Sequence, residues 1–172
     1  MRLTATWTIL LALLMLISCS GDTGPVVELR HFPVNDLAGI VAQSNVQMDK
    51  TNSTDGMGSL RISTDEPAVV PLFVIDGLDI DDVMLIYQAH LRTENVKGQV
   101  YLEMWCDFGN LGEYFSRGLQ SPLSGNNEWT TASTPFLLKE GQRPDKVRLN
   151  LVIDGTGTAW IDDIHLLTSS LS

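Results

Sequence analysis

Tyr101, Glu103 and Trp105 alternate along one apolar stretch, which puts two aromatic rings and a carboxylate on a single face of a strand. Residues 83–92 repeat the pattern, with Gln88, His90 and Arg92 opposite Leu85, Tyr87, Ala89 and Leu91. Residues 146–153 do so again, with Arg148 and Asn150 opposite Val147, Leu149, Leu151 and Ile153. Flat rings beside amide, guanidinium and carboxylate groups are the chemistry of recognition: the rings offer apolar faces and the polar groups set orientation. The apolar sets make half of a core, and the polar-aromatic sets face outward or into a groove. The same residues also allow a closed arrangement. In it the 108–119 segment roofs Tyr101 and Trp105, and Glu103 pairs with Arg92 or Arg148 across the sheet.

Catalytic chemistry is poorly supplied. His31, His90 and His165 fall in separate elements without the spacing of a zinc-hydrolase helix. Ser116 lacks the flanking glycines of a nucleophile elbow. Glu103 and Glu113 would need a deep cleft to act as a glycosidase pair, and Cys106 points to the core by alternation. The expectation is a chain without catalytic residues.

The elements that must carry these side chains are strands, at 26–32, 59–64, 69–74, 83–92, 99–107, 113–119, 130–138, 146–153 and 158–167. Turn residues separate them, among them Asp55-Gly56, Asp76-Gly77, Lys97-Gly98, Gly125-Asn126-Asn127, Glu140-Gly141 and Asp154-Gly155. Pro71 marks its strand as an edge or a bulge. The only helical candidate is 34–41. Many short strands at this spacing predict an all-β fold, an antiparallel β-sandwich, over residues 26–168, with 169–172 as a tail.

The chain carries a formal charge of −10 and two cysteines. That balance excludes nucleic acid as a partner, which would need a basic patch, and gives no electrostatic hold on an anionic membrane. Arg2 followed by the apolar stretch 7–17 and Ser18 has the layout of an export signal, here 1–18. Leu16-Ile17-Ser18-Cys19 resembles the lipobox of bacterial lipoproteins, in which the cysteine becomes the acylated first residue of the mature chain. The resemblance implies membrane anchoring through Cys19, a short tether over 19–25, and a place in the cell envelope. With Ser20 following Cys19, the outer membrane is favoured in a diderm organism. An anchor segment or an ordinary secretory signal are the alternatives.

Two further segments resemble the galactose-binding-like jelly rolls that include many carbohydrate-binding modules. Asp55-Gly56-Met57-Gly58-Ser59-Leu60-Arg61-Ile62 is similar to their early strand entry, and Gly157-Thr158-Ala159-Trp160-Ile161-Asp162-Asp163-Ile164 to their closing strand. This resemblance implies a jelly roll. It also suggests a structural Ca²⁺ held by Asp49 or Asp55 with Asp162 or Asp163. The other reading of Asp162 is an inward carboxylate accepting hydrogen bonds from the first loop. For function it implies glycan binding on the face bearing Gln88, His90, Arg92, Tyr101, Glu103, Trp105, Arg148 and Asn150. The alternative is a structural lipoprotein that docks an envelope protein there.

Overall fold

The computed structural model describes residues 24–171. The expected signal 1–18, the lipid-bearing Cys19 and most of the tether lie outside the described residues. Among the described residues, the elements are eight strands and one 3-10 turn. They are β1 (Val26–Phe32), β2 (Val46–Asp49), β3 (Ser59–Thr64), β4 (Ala68–Asp76), β5 (Val83–Asp107), β6 (Glu113–Arg117), β7 (Leu123–Leu138) and β8 (Lys146–Ser170), the turn being Gly109–Leu111.

Two strands of 25 residues organise the rest. β5 and β8 pair antiparallel from Val83↔Ser170 to Asp107↔Lys146, so each absorbs two of the expected strands. Their neighbours change partway along. At one end β4 flanks β8 and β6 flanks β5; at the other β1 and β3 flank β8, β2 flanks β3, and β7 runs along β5. The inward residues of both ends enter one core. Leu85, Tyr87 and Leu91 pack in the same cluster as Val100, Leu102, Met104 and Cys106, joined by Leu149, Leu151, Ile161 and Leu166 from β8. A ladder whose two ends share one core must fold over on itself, which makes the antiparallel sandwich.

The fold-over has a local cause. The β5–β8 register slips between Glu94 and Lys97, beside the directly paired Gly98 and Gly155. Both glycines hold positive φ, +112° and +147°. A Cβ on either would run into the backbone carbonyl of the opposite strand, Asp154 for Gly98 and Lys97 for Gly155. Only glycine permits both the backbone angle and the approach. The Lys97-Gly98 and Asp154-Gly155 dipeptides, expected as turns ending strands, are therefore bends within them.

Other expectations change for equally local reasons. Gly125-Asn126-Asn127 lies inside β7, where Asn127 Nδ2 donates to Thr93 Oγ1 (2.8 Å) and Gly125 pairs with Val96. No helix forms over 34–41. The Asp36 carboxylate takes the Ala38 amide (2.8 Å) and Gly39 turns the chain at φ +76°. The following residues hydrogen-bond along β4 instead, Val41 to Leu72 and Ala42 to Pro71. Pro71 sits beside a bulge on this strand, as its ring predicts. β2, too short to stand out in the sequence, pairs with β3 at the sheet margin. The last strand continues through Ser170, beyond the predicted boundary at 168, because Ser169 pairs with both Val26 and Met84 and is buried.

Gly155→Ala is expected to destabilise the domain by about 2 kcal/mol or more, through strained φ and the clash with Lys97. The urea midpoint measures this. Gly56→Ala tests strain alone, since its φ is +82° but nothing lies within 4 Å of the added methyl; its loss is expected to be smaller.

Candidate functional site

The outer face of the β4–β8–β5–β6 end is built in register rows. Val69, Val152 and Tyr101 form one row; Pro71, Asn150, Glu103 and Arg117 the next; Val74, Arg148, Trp105 and Phe115 a third. Alternation is obeyed on β5, where Leu102 and Met104, one residue away, are buried in the core, while the bulge after Pro71 shifts it by one on β4. These rows line a cleft of about 400 Å³ walled by Val69, Pro71, Glu103, Trp105, Arg117, Arg148 and Asn150.

Glu103 organises the cleft. It is 2% exposed. Its Oε1 accepts from Trp105 Nε1 (2.7 Å) and from Asn150 Nδ2 (3.0 Å), and its Oε2 from Arg117 Nε (2.6 Å). Burial pushes this carboxyl upward, but the hydrogen bonds from Asn150, Trp105 and Arg117, with the Arg117 charge, outweigh it and hold the group below its ordinary 4.5. Glu103 is therefore an anion that fixes an indole, an amide and a guanidinium at once. The bond from its Nδ2 orients the Asn150 amide, whose Oδ1 is buried and has no hydrogen-bond partner. Arg148 lies over the Trp105 ring, 5.6 Å from its centroid, and ion-pairs with Glu113 (3.0 Å). The Phe115 ring is tilted 42° against Trp105 at 4.9 Å.

Five of the eight predicted recognition residues thus share one face: Tyr101, Glu103, Trp105, Arg148 and Asn150. Tyr101 is buried at the margin, near Val69, Val152 and Asp154. Gln88, His90 and Arg92 do not join them. The stretches 83–92 and 99–107 are successive halves of β5, not neighbouring strands, so these three residues lie beyond the fold-over. Arg92 instead stacks on Trp160 (4.8 Å), opposite Arg61, and approaches Glu128 (3.6 Å). The roof of the closed alternative is absent as such, and the strand expected at 113–119 forms as β6. β6 lies beside β5 as the next strand, and it supplies the unpredicted members Phe115 and Arg117. Their alternation in Phe115-Ser116-Arg117 is the signal that could have found them. Arg117, not Arg92 or Arg148, is the partner of Glu103.

The acids suggested for calcium serve other contacts. Asp49 accepts from Thr51, Asn52 and Trp160 Nε1 (2.8 Å), and the side-chain bonds from Thr51 and Asn52 hold it well below the carboxylate range. Asp55 takes the Met57 amide. Asp162 is buried, with Oδ2 accepting both the amide and hydroxyl of Thr54 (2.7 Å each), the inward arrangement. Asp163 turns toward histidines. Among the described residues, none of the four belongs to a group of three ligand side chains whose donor atoms lie within 4.8 Å of one another. Cys106, the free cysteine among the described residues, is buried with its thiol pushed up to about 12, which removes it as a nucleophile.

No protein-family model matches the chain, and no relative is found among curated proteins. Solved structures do match in fold. The CBM22-1 xylan-binding domain of Xyn10C from Paenibacillus barcinonensis is similar at a TM-score of 0.61 and 10% identity, over 87% of this chain and 98% of that one. The CBM22-1–GH10 modules of Clostridium thermocellum xylanase 10B, complexed with xylohexaose, match at 0.60 and 15%, over 86% of this chain and 29% of that one. A further xylan-binding domain of family CBM22 matches at 0.57 and 11%, over 88% and 99%. The fold is that of carbohydrate-binding modules.

Glu103→Gln keeps the shape but removes the charge that holds Arg117. A loss of about 1–3 kcal/mol in urea denaturation at neutral pH is expected. Because Glu103 is held below its unfolded value, its contribution is complete above about pH 4.5 and is withdrawn as pH falls through the folded value. The variant and the parent should therefore converge in stability in strong acid.

Proposed function

We propose that this chain is a non-catalytic, lipid-anchored envelope protein whose sandwich domain binds a glycan along the Glu103 cleft. The observation that carries the reading is a fixed, half-buried indole on a face of polar side chains. Trp105 is pinned by Glu103, so its ring is pre-organised beside the guanidinium groups that line the cleft. Arg117 and Arg148 add donors on either side. The xylan named for the similar CBM22 domains makes xylan the first ligand to try, within a panel of plant and bacterial polysaccharides.

A second reading is supported by β6. This strand edges the sheet, and Tyr114, Phe115, Leu111 and Leu119 around it are exposed, a pattern that also suits docking of another envelope protein.

Affinity electrophoresis in gels containing each polysaccharide separates the two. Under the glycan reading, Trp105→Ala weakens binding at least about tenfold while circular dichroism stays folded, and Gln88→Ala, beyond the fold-over, binds normally. No retardation on any polysaccharide, with an envelope protein co-purifying through β6, favours docking.

Anchoring rests on the Leu16–Cys19 motif. Cys19→Ala is expected to shift the protein from the membrane to the soluble fraction and to abolish palmitate labelling. Retention in the membrane fraction without label would instead indicate an uncleaved anchor.

A further inference from the structure

The chain contains three histidines, on strands far apart in sequence, and the fold brings all three to Asp163. His31 and His165 are direct partners across the β1–β8 ladder, and their rings stack with centroids 4.3 Å apart and planes within 5°. Like edges of the two rings meet one oxygen: Asp163 Oδ1 is 2.7 Å from His31 Nε2 and 3.1 Å from His165 Nε2. His90 Nδ1 approaches the other oxygen at 3.2 Å without hydrogen-bond geometry and has no other partner.

A carboxylate accepts, so His31 Nε2 carries a hydrogen and His31 Nδ1 keeps its lone pair, whereas His165 Nε2 is near the same oxygen without hydrogen-bond geometry. His165 makes its hydrogen bond through Nδ1, 2.7 Å from Glu28 Oε2. A metal ion would take the place of the proton between these two ligand atoms. Glu28, His31 and His165 have ligand atoms within 4.8 Å of one another. Tetrahedral coordination with ordinary zinc bond lengths asks for about 3.3 Å between ligands. The rings are stacked nearly parallel, so for their lone pairs to converge His31, the more exposed, tilts about its Nε2–Asp163 hydrogen bond while the half-exposed Glu28 carboxylate swings in.

We propose that Glu28, His31 and His165 bind a divalent transition ion of the zinc class, with Asp163 as the shared carboxylate that orients both imidazoles. Two imidazoles and one carboxylate suit Zn²⁺ and its neighbours; Ca²⁺ and Mg²⁺ prefer all-oxygen sets. A ligating histidine ordinarily donates its other ring N–H to a carboxylate; here Asp163 accepts from His31 Nε2 and lies 3.1 Å from His165 Nε2. The backbone is shaped to this end. Asp163 holds φ +50°, unusual for a residue with a Cβ, where the β5–β8 register slips between Gln88 and His90. Such a bulge re-aims a side chain. The ion clips β1, which pairs only with β8, onto the last strand. It is separate from the Glu103 cleft and does not depend on glycan binding.

Calorimetric titration of the purified full chain with ZnCl₂ tests the proposal. One Zn²⁺ per chain at micromolar or tighter Kd is expected, with a raised melting temperature and no displacement by millimolar Ca²⁺. His31→Ala and His165→Ala should each weaken binding at least about tenfold, and Asp163→Asn about tenfold or more while leaving one site. No zinc uptake by the parent, or unchanged uptake in both histidine variants, overturns it. Where those variants fail to fold, Cu²⁺ resonance spectra of the parent decide. Coupling to two nitrogens supports the site, and an oxygen-only signature overturns it.

Discussion

The antiparallel pairing of β5 with β8 is the interaction on which everything else in this domain depends. Each long strand is flanked by different neighbours at its two ends, so one ladder supplies the spine of both layers. The glycine pair at positions 98 and 155, beside the slip between Glu94 and Lys97, lets the spine fold over and resume its pairing on the far side. Without that fold-over, the apolar faces of residues 85–91 and 100–106 would be two sheet faces looking at water. With it they become a single core, in which each fully buried leucine contributes about 1.5–3 kcal/mol.

The same spine decides where chemistry is possible. On one side of the bend, rows across four strands set Trp105, Glu103, Asn150, Arg117 and Arg148 into a cleft. There a buried anion does the positioning and leaves the amide oxygen of Asn150 uncommitted. On the other side, a bulge turns Asp163 toward three histidines. The two places use one device: a carboxylate fixed by the sheet holds nitrogen-bearing side chains in order. A carboxylate is well suited to this, since its two oxygens can each accept more than one bond.

Much of the fold was legible in the chain, because strand alternation depends only on neighbours two residues apart. The inward placement of Leu102, Met104 and Cys106 against an outward Trp105 follows from that period alone. So did the edge character of the Pro71 strand. The antiparallel sandwich, expected from strand spacing and from the resemblance to jelly rolls, is the fold found. The candidate cleft was partly legible: five residues of its face were named, but Gln88, His90 and Arg92 were placed with them. Phe115 and Arg117 fall in the strand expected at 113–119, but nothing in the local pattern sets that strand beside 99–107.

Local pattern therefore determined which side chains leave each strand on the same side, and the type of chemistry each set could offer. Which strands lie next to one another was decided only in three dimensions. Pairing is a relation between segments distant in sequence, and a two-residue period carries no record of partner or register. That is why Lys97-Gly98 reads as a turn yet acts as a bend within a strand. It is also why three histidines without any metal-binding spacing along the chain come to surround a single aspartate.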